Sequence, residues 1–146
     1  RVDGESMVDT LHNDERLFVS VIDVRLFGVE RGDVVICHYP GRGDTNFVKR
    51  VVGVPGDTLM FVDNVLIRNG EVVDEPYLTP SRNQNGFSML PITLGENEYF
   101  VCGDNRDNSH DCRNLTNGVP EAITRDMIIG HVRYVVYPFS DARSIN

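Results

Sequence analysis

The sequence predicts an all-β, mainly antiparallel fold with one small irregular insertion, and three features predict it. Short runs rich in Val, Ile and Phe recur at strand length. Gly, Asn, Asp and Pro stand between them. No long stretch carries the 3.6-residue apolar spacing of an amphipathic helix. The first strand is Arg16 to Val21, with Leu17, Phe18 and Val19 at its centre; the second is Asp33 to Tyr39, built on Val34-Val35-Ile36. Phe47 to Val54 follows and stops at Pro55-Gly56. Thr58 to Val62 and Val65 to Arg68 are separated by Asp63-Asn64, and Asn69-Gly70 comes next. Both dipeptides are hairpin signals, because Asn and Gly accept positive φ, so residues 57 to 73 read as a meander. Residues 75 to 97 are rich in Pro, Asn, Ser and Gly and read as an irregular excursion. Residues 58–97 are thus a meander plus small insertion within a single domain of 146 residues. Tyr99 to Cys102 and Met127 to Tyr137 complete the strands, and Pro120-Glu121-Ala122 is expected to open one short helical turn.

Composition narrows the function. Forty per cent hydrophobic residues suffices for a packed core. A net charge of −8 argues against a nucleic-acid partner, since phosphate binding needs a basic face. No apolar run reaches membrane-spanning length. The chain opens at Arg1 rather than at Met, and a removed N-terminal anchor or signal is expected. Cys37, Cys102 and Cys112 do not make a disulfide framework. A metal site at Cys102, His110 and Cys112 would lack the C-x-x-C knuckle of structural zinc sites. No metal or cofactor is expected.

The lysine count is the anomaly. Lys49 is the only lysine, against thirteen arginines, where average usage gives about eight or nine. Arg supplies surface charge anywhere but never deprotonates, whereas a buried Lys does. Alternation places Phe47, Lys49 and Val51 on one face of their strand and Val48, Arg50 and Val52 on the other. Lys49 therefore lies between apolar neighbours, where desolvation lowers its pKa. The plainer alternative is a lysine stem lying over apolar surface with its ammonium in water.

A neutral amine needs a nucleophile. Two polar segments offer one: Gly4-Glu5-Ser6-Met7-Val8-Asp9-Thr10-Leu11, and Cys102-Gly103-Asp104-Asn105-Arg106-Asp107-Asn108-Ser109-His110-Asp111-Cys112-Arg113. Together with Gly32-Asp33-Val34-Val35-Ile36, Tyr39-Pro40 and the complete stretch Lys49 to Asp57, they resemble the boxes of bacterial type I signal peptidases, the membrane-anchored Ser/Lys endopeptidases. The boxes stand in family order across residues 4 to 113, and Ile129-Gly130-His131-Val132 with Tyr137-Pro138 also fits. Three positions depart from the family pattern: Asp9 replaces a usual Pro, Cys112 a usual Ser, and Gly4 a Ser hydroxyl found in some relatives.

The resemblance implies a signal-peptidase-like β fold and a serine endopeptidase. It would remove signal peptides from secreted preproteins after small-x-small sequences. Ser6 would be the nucleophile and Lys49 the general base, with Phe47, Val51 and Met7 as its apolar wall. Ser109 would orient Lys49 by a hydrogen bond. Asp111 and Arg113 would form a loop ion pair, and the Gly4 and Ser6 backbone would form the oxyanion region. Gly103 and Asp104 read as turn residues, and Asn105 and Arg106 as braces of their loop. The implied partners are preprotein signal peptides and, through an anchor absent from this chain, membrane lipid. The implied location is the plasma membrane, single-pass anchored, with the catalytic domain on the extracytoplasmic face.

Other readings are weaker. His110-Asp111 beside Ser109 suggests a Ser-His-Asp triad, but sequence neighbours on an extended chain point different ways. His12, His38 and His131 read as surface or satisfied polar residues. A self-cleaving repressor-type Ser/Lys peptidase would carry a basic DNA-binding helix, which the sequence lacks. An inactive relative assembling surface fibres would not need an intact Ser6 and Lys49. Arg-Gly-Asp occurs at 31–33 and 42–44, but a strand box and a turn account for the two copies.

Overall fold

The computed structural model describes residues 1–145. Its strands are β1 (Arg16–Ser20), β2 (Val34–Cys37), β3 (Phe47–Gly53), β4 (Thr58–Val62), β5 (Val65–Arg68), β6 (Glu71–Val72), β7 (Met89–Thr93), β8 (Glu98–Cys102), β9 (Ile123–Thr124), β10 (Ile128–Tyr137) and β11 (Arg143–Ser144). One helix of useful length, α1 (Val21–Phe27), follows β1. The larger sheet runs β1-β10-β2-β3-β8-β9 with β11 added to β10; the smaller runs β6-β5-β4-β7. Every pairing is antiparallel, as the sequence predicts.

Two cores hold this arrangement. The main one joins Val35, Cys37, Val51, Phe100 and Val101 of the larger sheet to Leu59, Phe61, Leu66 and Met89 of the smaller. At the end of β3, a Cβ on Gly53 would stand 2.5 Å from Leu59 Cδ1 and 2.9 Å from Leu94 Cδ1, so a side chain there would displace core leucines. The second core buries Val2, Met7 and Leu11 of the N-terminal segment against Val34, Val132 and Val135. Met7 and Leu11 are thus anchors that seat the Ser6 segment on the larger sheet.

Three local readings need correction. Val21 begins α1 rather than ending β1; the Ser20 hydroxyl accepts from the Asp23 N–H at 3.2 Å as an N-cap. The helix buries only Val24, so it has no apolar stripe to betray it. The excursion at 75–97 contains β7, a sheet-edge strand carrying Pro91, where proline removes no required ladder bond. Pro120-Glu121-Ala122 forms no helical turn; the Glu121 N–H donates to the Cys112 carbonyl at 2.9 Å and the chain enters β9 extended.

Candidate active site

β3 carries Lys49 into the interior. Its antiparallel partner on β2 is Val35, and Lys49 is 3% exposed. The N-terminal segment, pinned by Met7 and Leu11, brings Ser6 over the strand. Lys49 Nζ and Ser6 Oγ are 2.7 Å apart, within direct proton-transfer distance. Burial pushes the Lys49 amine below its ordinary value, opposed chiefly by the nearby Asp111 carboxylate. No salt bridge reaches Lys49 among the described residues.

The loop from Gly103 to Arg113 backs this pair. The Asn105 N–H donates to the Ser6 carbonyl at 2.8 Å and Asn105 Nδ2 to the Glu5 carbonyl at 3.0 Å. A Cβ on Gly103 would stand 2.5 Å from the Ser6 carbonyl oxygen and 2.2 Å from Ser109 Oγ, so the close approach requires glycine. Asp104 is claimed by Arg50: Arg50 Nε donates to Oδ1 at 2.9 Å and Nη2 to Oδ2 at 2.8 Å, with both side chains buried. The Thr10 hydroxyl donates to the same carboxylate, and the Asp104 N–H points to Met7 Sδ at 3.4 Å. Arg106 is held by Glu75 at 2.6 Å and donates to the Gly103 carbonyl at 2.8 Å, tying the excursion to the loop.

Asp111 accepts Arg113 Nε at 2.9 Å, Arg113 Nη2 at 3.0 Å and the Gly103 N–H at 2.9 Å. Burial alone would raise this carboxyl, but Arg113 and those donors hold it below its ordinary value. The three cysteines are free and buried, and burial pushes the Cys37 thiol up to about 12, so they are inert thiols rather than nucleophiles.

Beside Ser6 and Lys49 opens a cleft of about 360 Å³, walled mainly by Val2, Leu17, Val19, Ile36, Val48 and Ile129. A serine against a buried amine, at the end of an apolar cleft, is an arrangement for acyl transfer to a hydroxyl.

Comparison with known proteins agrees. Residues 1–137 match the model of the family described as signal peptidase, peptidase S26. The chain belongs to this family. Signal peptidase I S of Bacillus subtilis strain 168 is 40% identical over 99% of this chain and 79% of its own length. Signal peptidase IB of Staphylococcus aureus is 34% identical over 96% of this chain and 78% of its own length. Among solved structures, a signal peptidase I from Enterococcus faecalis V583 superposes with a TM-score of 0.55 at 27% identity, covering 70% of this chain and 95% of that one.

Against the signal peptidase boxes, the structure brings Ser6, Lys49, the Asp111–Arg113 pair and Ser109 into one neighbourhood, with two differences. Ser109 makes no hydrogen bond to Lys49: its Oγ is buried beside Gly103 on the side of the Asp111 carboxylate, whose charged form it favours, and the amine contacts Ser6. The Gly4 N–H is not free in the cleft, because the Asn13 side chain accepts it at 2.8 Å. Asp104, read as a turn residue, is a buried ion-pair partner. The sequence signals half of this pair, since Arg50 sits between Val48 and Val52 just as Lys49 sits between Phe47 and Val51, but it does not name Asp104 as the partner. His110 is exposed and lies edge-on to Tyr39, and His131 lies 3.7 Å from Asp33.

Proposed function

We propose that Ser6 and Lys49 are the nucleophile and general base of this signal-peptide-removing serine endopeptidase. The observation that carries the reading is the 2.7 Å contact between the Ser6 hydroxyl and an amine whose pKa burial lowers. An unperturbed lysine is only about 0.1% neutral at pH 7.5, a handicap of roughly 4 kcal/mol, and desolvation recovers part of it. Neutral Lys49 accepts the Ser6 proton as Oγ attacks the scissile carbonyl. It then protonates the leaving amine and afterwards activates the water that hydrolyses the acyl-enzyme. Asp111 and Arg113 hold the loop behind the pair. The Ser6 N–H supplies an oxyanion donor.

The substrate is a preprotein lying extended along the cleft, with small side chains before the cut. The domain works on the extracytoplasmic face of the plasma membrane, tethered by a single-pass anchor. Exposed Phe18, Ile22, Leu26, Phe27, Tyr137 and Phe139 support that placement, since the β1 that carries Phe18 outward also sends Leu17 and Val19 into the cleft wall. Among the described residues no helix is long and apolar enough to cross a membrane.

The test is cleavage of a preprotein in detergent or lipid by the wild type, Ser6→Ala and Lys49→Met forms. Activity in the wild type alone is expected. An inactive wild type, or full activity in either variant, would overturn the assignment.

A further inference from the structure

The Ser6 Cα joins two peptide units, and one residue grips both. The Ser6–Met7 unit presents its carbonyl to the Asn105 backbone N–H at 2.8 Å. The Glu5–Ser6 unit presents its carbonyl to the Asn105 side-chain amide at 3.0 Å. In a planar trans peptide the carbonyl and N–H point in opposite directions. Turning the Glu5 carbonyl onto the loop therefore turns the Ser6 N–H away from it. Ser6 lines the cleft and Asn105 does not, so the side opposite Asn105 is the side where a scissile carbonyl would lie. Asn105 is itself 3% exposed and fixed within a loop braced by the Arg50–Asp104 and Arg106–Glu75 pairs. Among the described residues, only the weaker 3.2 Å contact from the Val8 N–H also holds the Glu5 carbonyl.

We propose that Asn105 is the positioning residue of the oxyanion site: it locks the two peptide planes flanking Ser6 and so aims the Ser6 N–H at the developing oxyanion. This rests on the reading of Ser6 as nucleophile. When Ser6 Oγ adds to a carbonyl carbon, the π pair moves to the carbonyl oxygen and the Ser6 proton moves to Lys49. A donor already aligned with that oxygen needs no reorganisation at that moment. With the side-chain amide removed, the Glu5–Ser6 plane is free to rotate and the donor loses its aim. The ground-state peptide, which does not carry the full negative charge, is little affected.

The experiment compares wild type, Asn105→Ala and the near-isosteric Asn105→Leu, which removes the side-chain N–H while keeping the bulk and adding no charge beside Lys49. Three readings are taken: kcat and KM on a preprotein, the pH profile, and binding of a signal-peptide aldehyde against the same peptide ending in an unreactive amide. The aldehyde forms a tetrahedral adduct with Ser6 and so probes the oxyanion site, whereas the amide probes only the cleft. The expected result is a fall of about tenfold to a hundredfold in kcat with KM nearly unchanged, since loss of a whole oxyanion donor costs about 10²–10³. Aldehyde affinity falls in parallel, amide affinity holds, and the alkaline limb of the profile stays in place. Unchanged aldehyde affinity in both variants would overturn the proposal, and so would a displaced alkaline limb, because Asn105 would then act through Lys49. Should Asn105→Ala unfold, as judged by circular dichroism, Asn105→Leu decides alone. If Ser6→Ala remained active, the nucleophile itself would be wrong. If Ser6→Ala is dead and both Asn105 variants behave as wild type, only this inference falls.

Discussion

Lys49 and Arg50 are adjacent on β3, 3% and 4% exposed, and point to opposite faces of the strand, yet they have opposite electrostatic fates. Arg50 is gripped by both oxygens of Asp104, donates to the Gly32 carbonyl at 2.8 Å and lies over the Tyr77 ring. Lys49 has a hydroxyl. The difference extends to the surroundings: Asp111 and Glu75, the other buried carboxylates behind the site, are each claimed by an arginine, Arg113 and Arg106. Arginine, permanently charged and bidentate, occupies the carboxylates. That leaves the single lysine desolvated without a counterion, which is the condition for a neutral amine. The scarcity of lysine and the abundance of arginine thus belong to one arrangement.

The strongest way to break this comparison is to make the two neighbours alike. Lys49→Arg keeps the charge and roughly the length but cannot release a proton, and preprotein cleavage should fall by about 10³-fold or more, as when other hydrolases lose a proton-transfer partner. Retained activity would show that no neutral amine is needed. The mirror change, Arg50→Met, leaves Asp104 buried and unpaired and should cost about 3–5 kcal/mol of stability, read as a lowered denaturant midpoint. A variant as stable as wild type would mean that the Thr10 hydroxyl, which already donates to Asp104, is enough to hold the carboxylate.

How far the sequence shows this contrast depends on whether a residue advertises its partner. The long strands were legible because β-branched runs between turn residues have few other uses, and Lys49 was legible because its face is apolar. α1 was not, since seven residues with one buried side chain carry no periodicity. β7 was hidden by Pro91, which demotes a strand pattern, and by the polar residues that precede it. Asp104 sits in a run of polar residues that looks like a solvated turn; its burial comes from the arrival of Met7, Thr10 and Arg50 from distant segments. Ser109 and Gly4 show the limit most clearly. Motif order places them at the site, but not which way they turn: the Gly4 N–H is taken by Asn13, which no spacing rule links to it, and Ser109 is turned away from Lys49.

A gentler perturbation sharpens the comparison. In Arg113→Lys the ammonium replaces the fork that holds both Asp111 oxygens, so the carboxylate is less fully neutralised where it faces Lys49. Asp111 is the leading influence keeping the Lys49 amine up, and Arg113 acts the other way. The alkaline limb of kcat/KM should therefore move to higher pH, lowering the rate at neutral pH, while the plateau at high pH is largely kept. The wild-type profile itself should rise with pH and level off below the ordinary lysine value of 10.5. An unmoved limb in the variant would separate Asp111 from the base.

The smallest effect is expected at a carboxylate outside this cluster. Asp57 accepts Arg31 Nε at 3.0 Å, the Val54 N–H at 3.0 Å and Asn69 Nδ2 at 3.0 Å, at the corner between β3 and β4. Burial works against its charged form, but those donors prevail and hold its carboxyl near 2, below the ordinary 3.8. Because the folded value is the lower one, the stabilisation is fully present above the unfolded value near 3.8 and is lost as pH falls through about 2. Asp57→Asn should cost about 1–2 kcal/mol at neutral pH and should flatten the fall of the melting temperature in that acid window. Its kcat/KM at pH 7.5 should match wild type, because Asp57 neither lines the cleft nor contacts the residues that do the chemistry. A loss of activity there without a loss of stability would mean that the catalytic face of β3 feels the corner where the smaller sheet begins, and that the two faces of the strand are not independent.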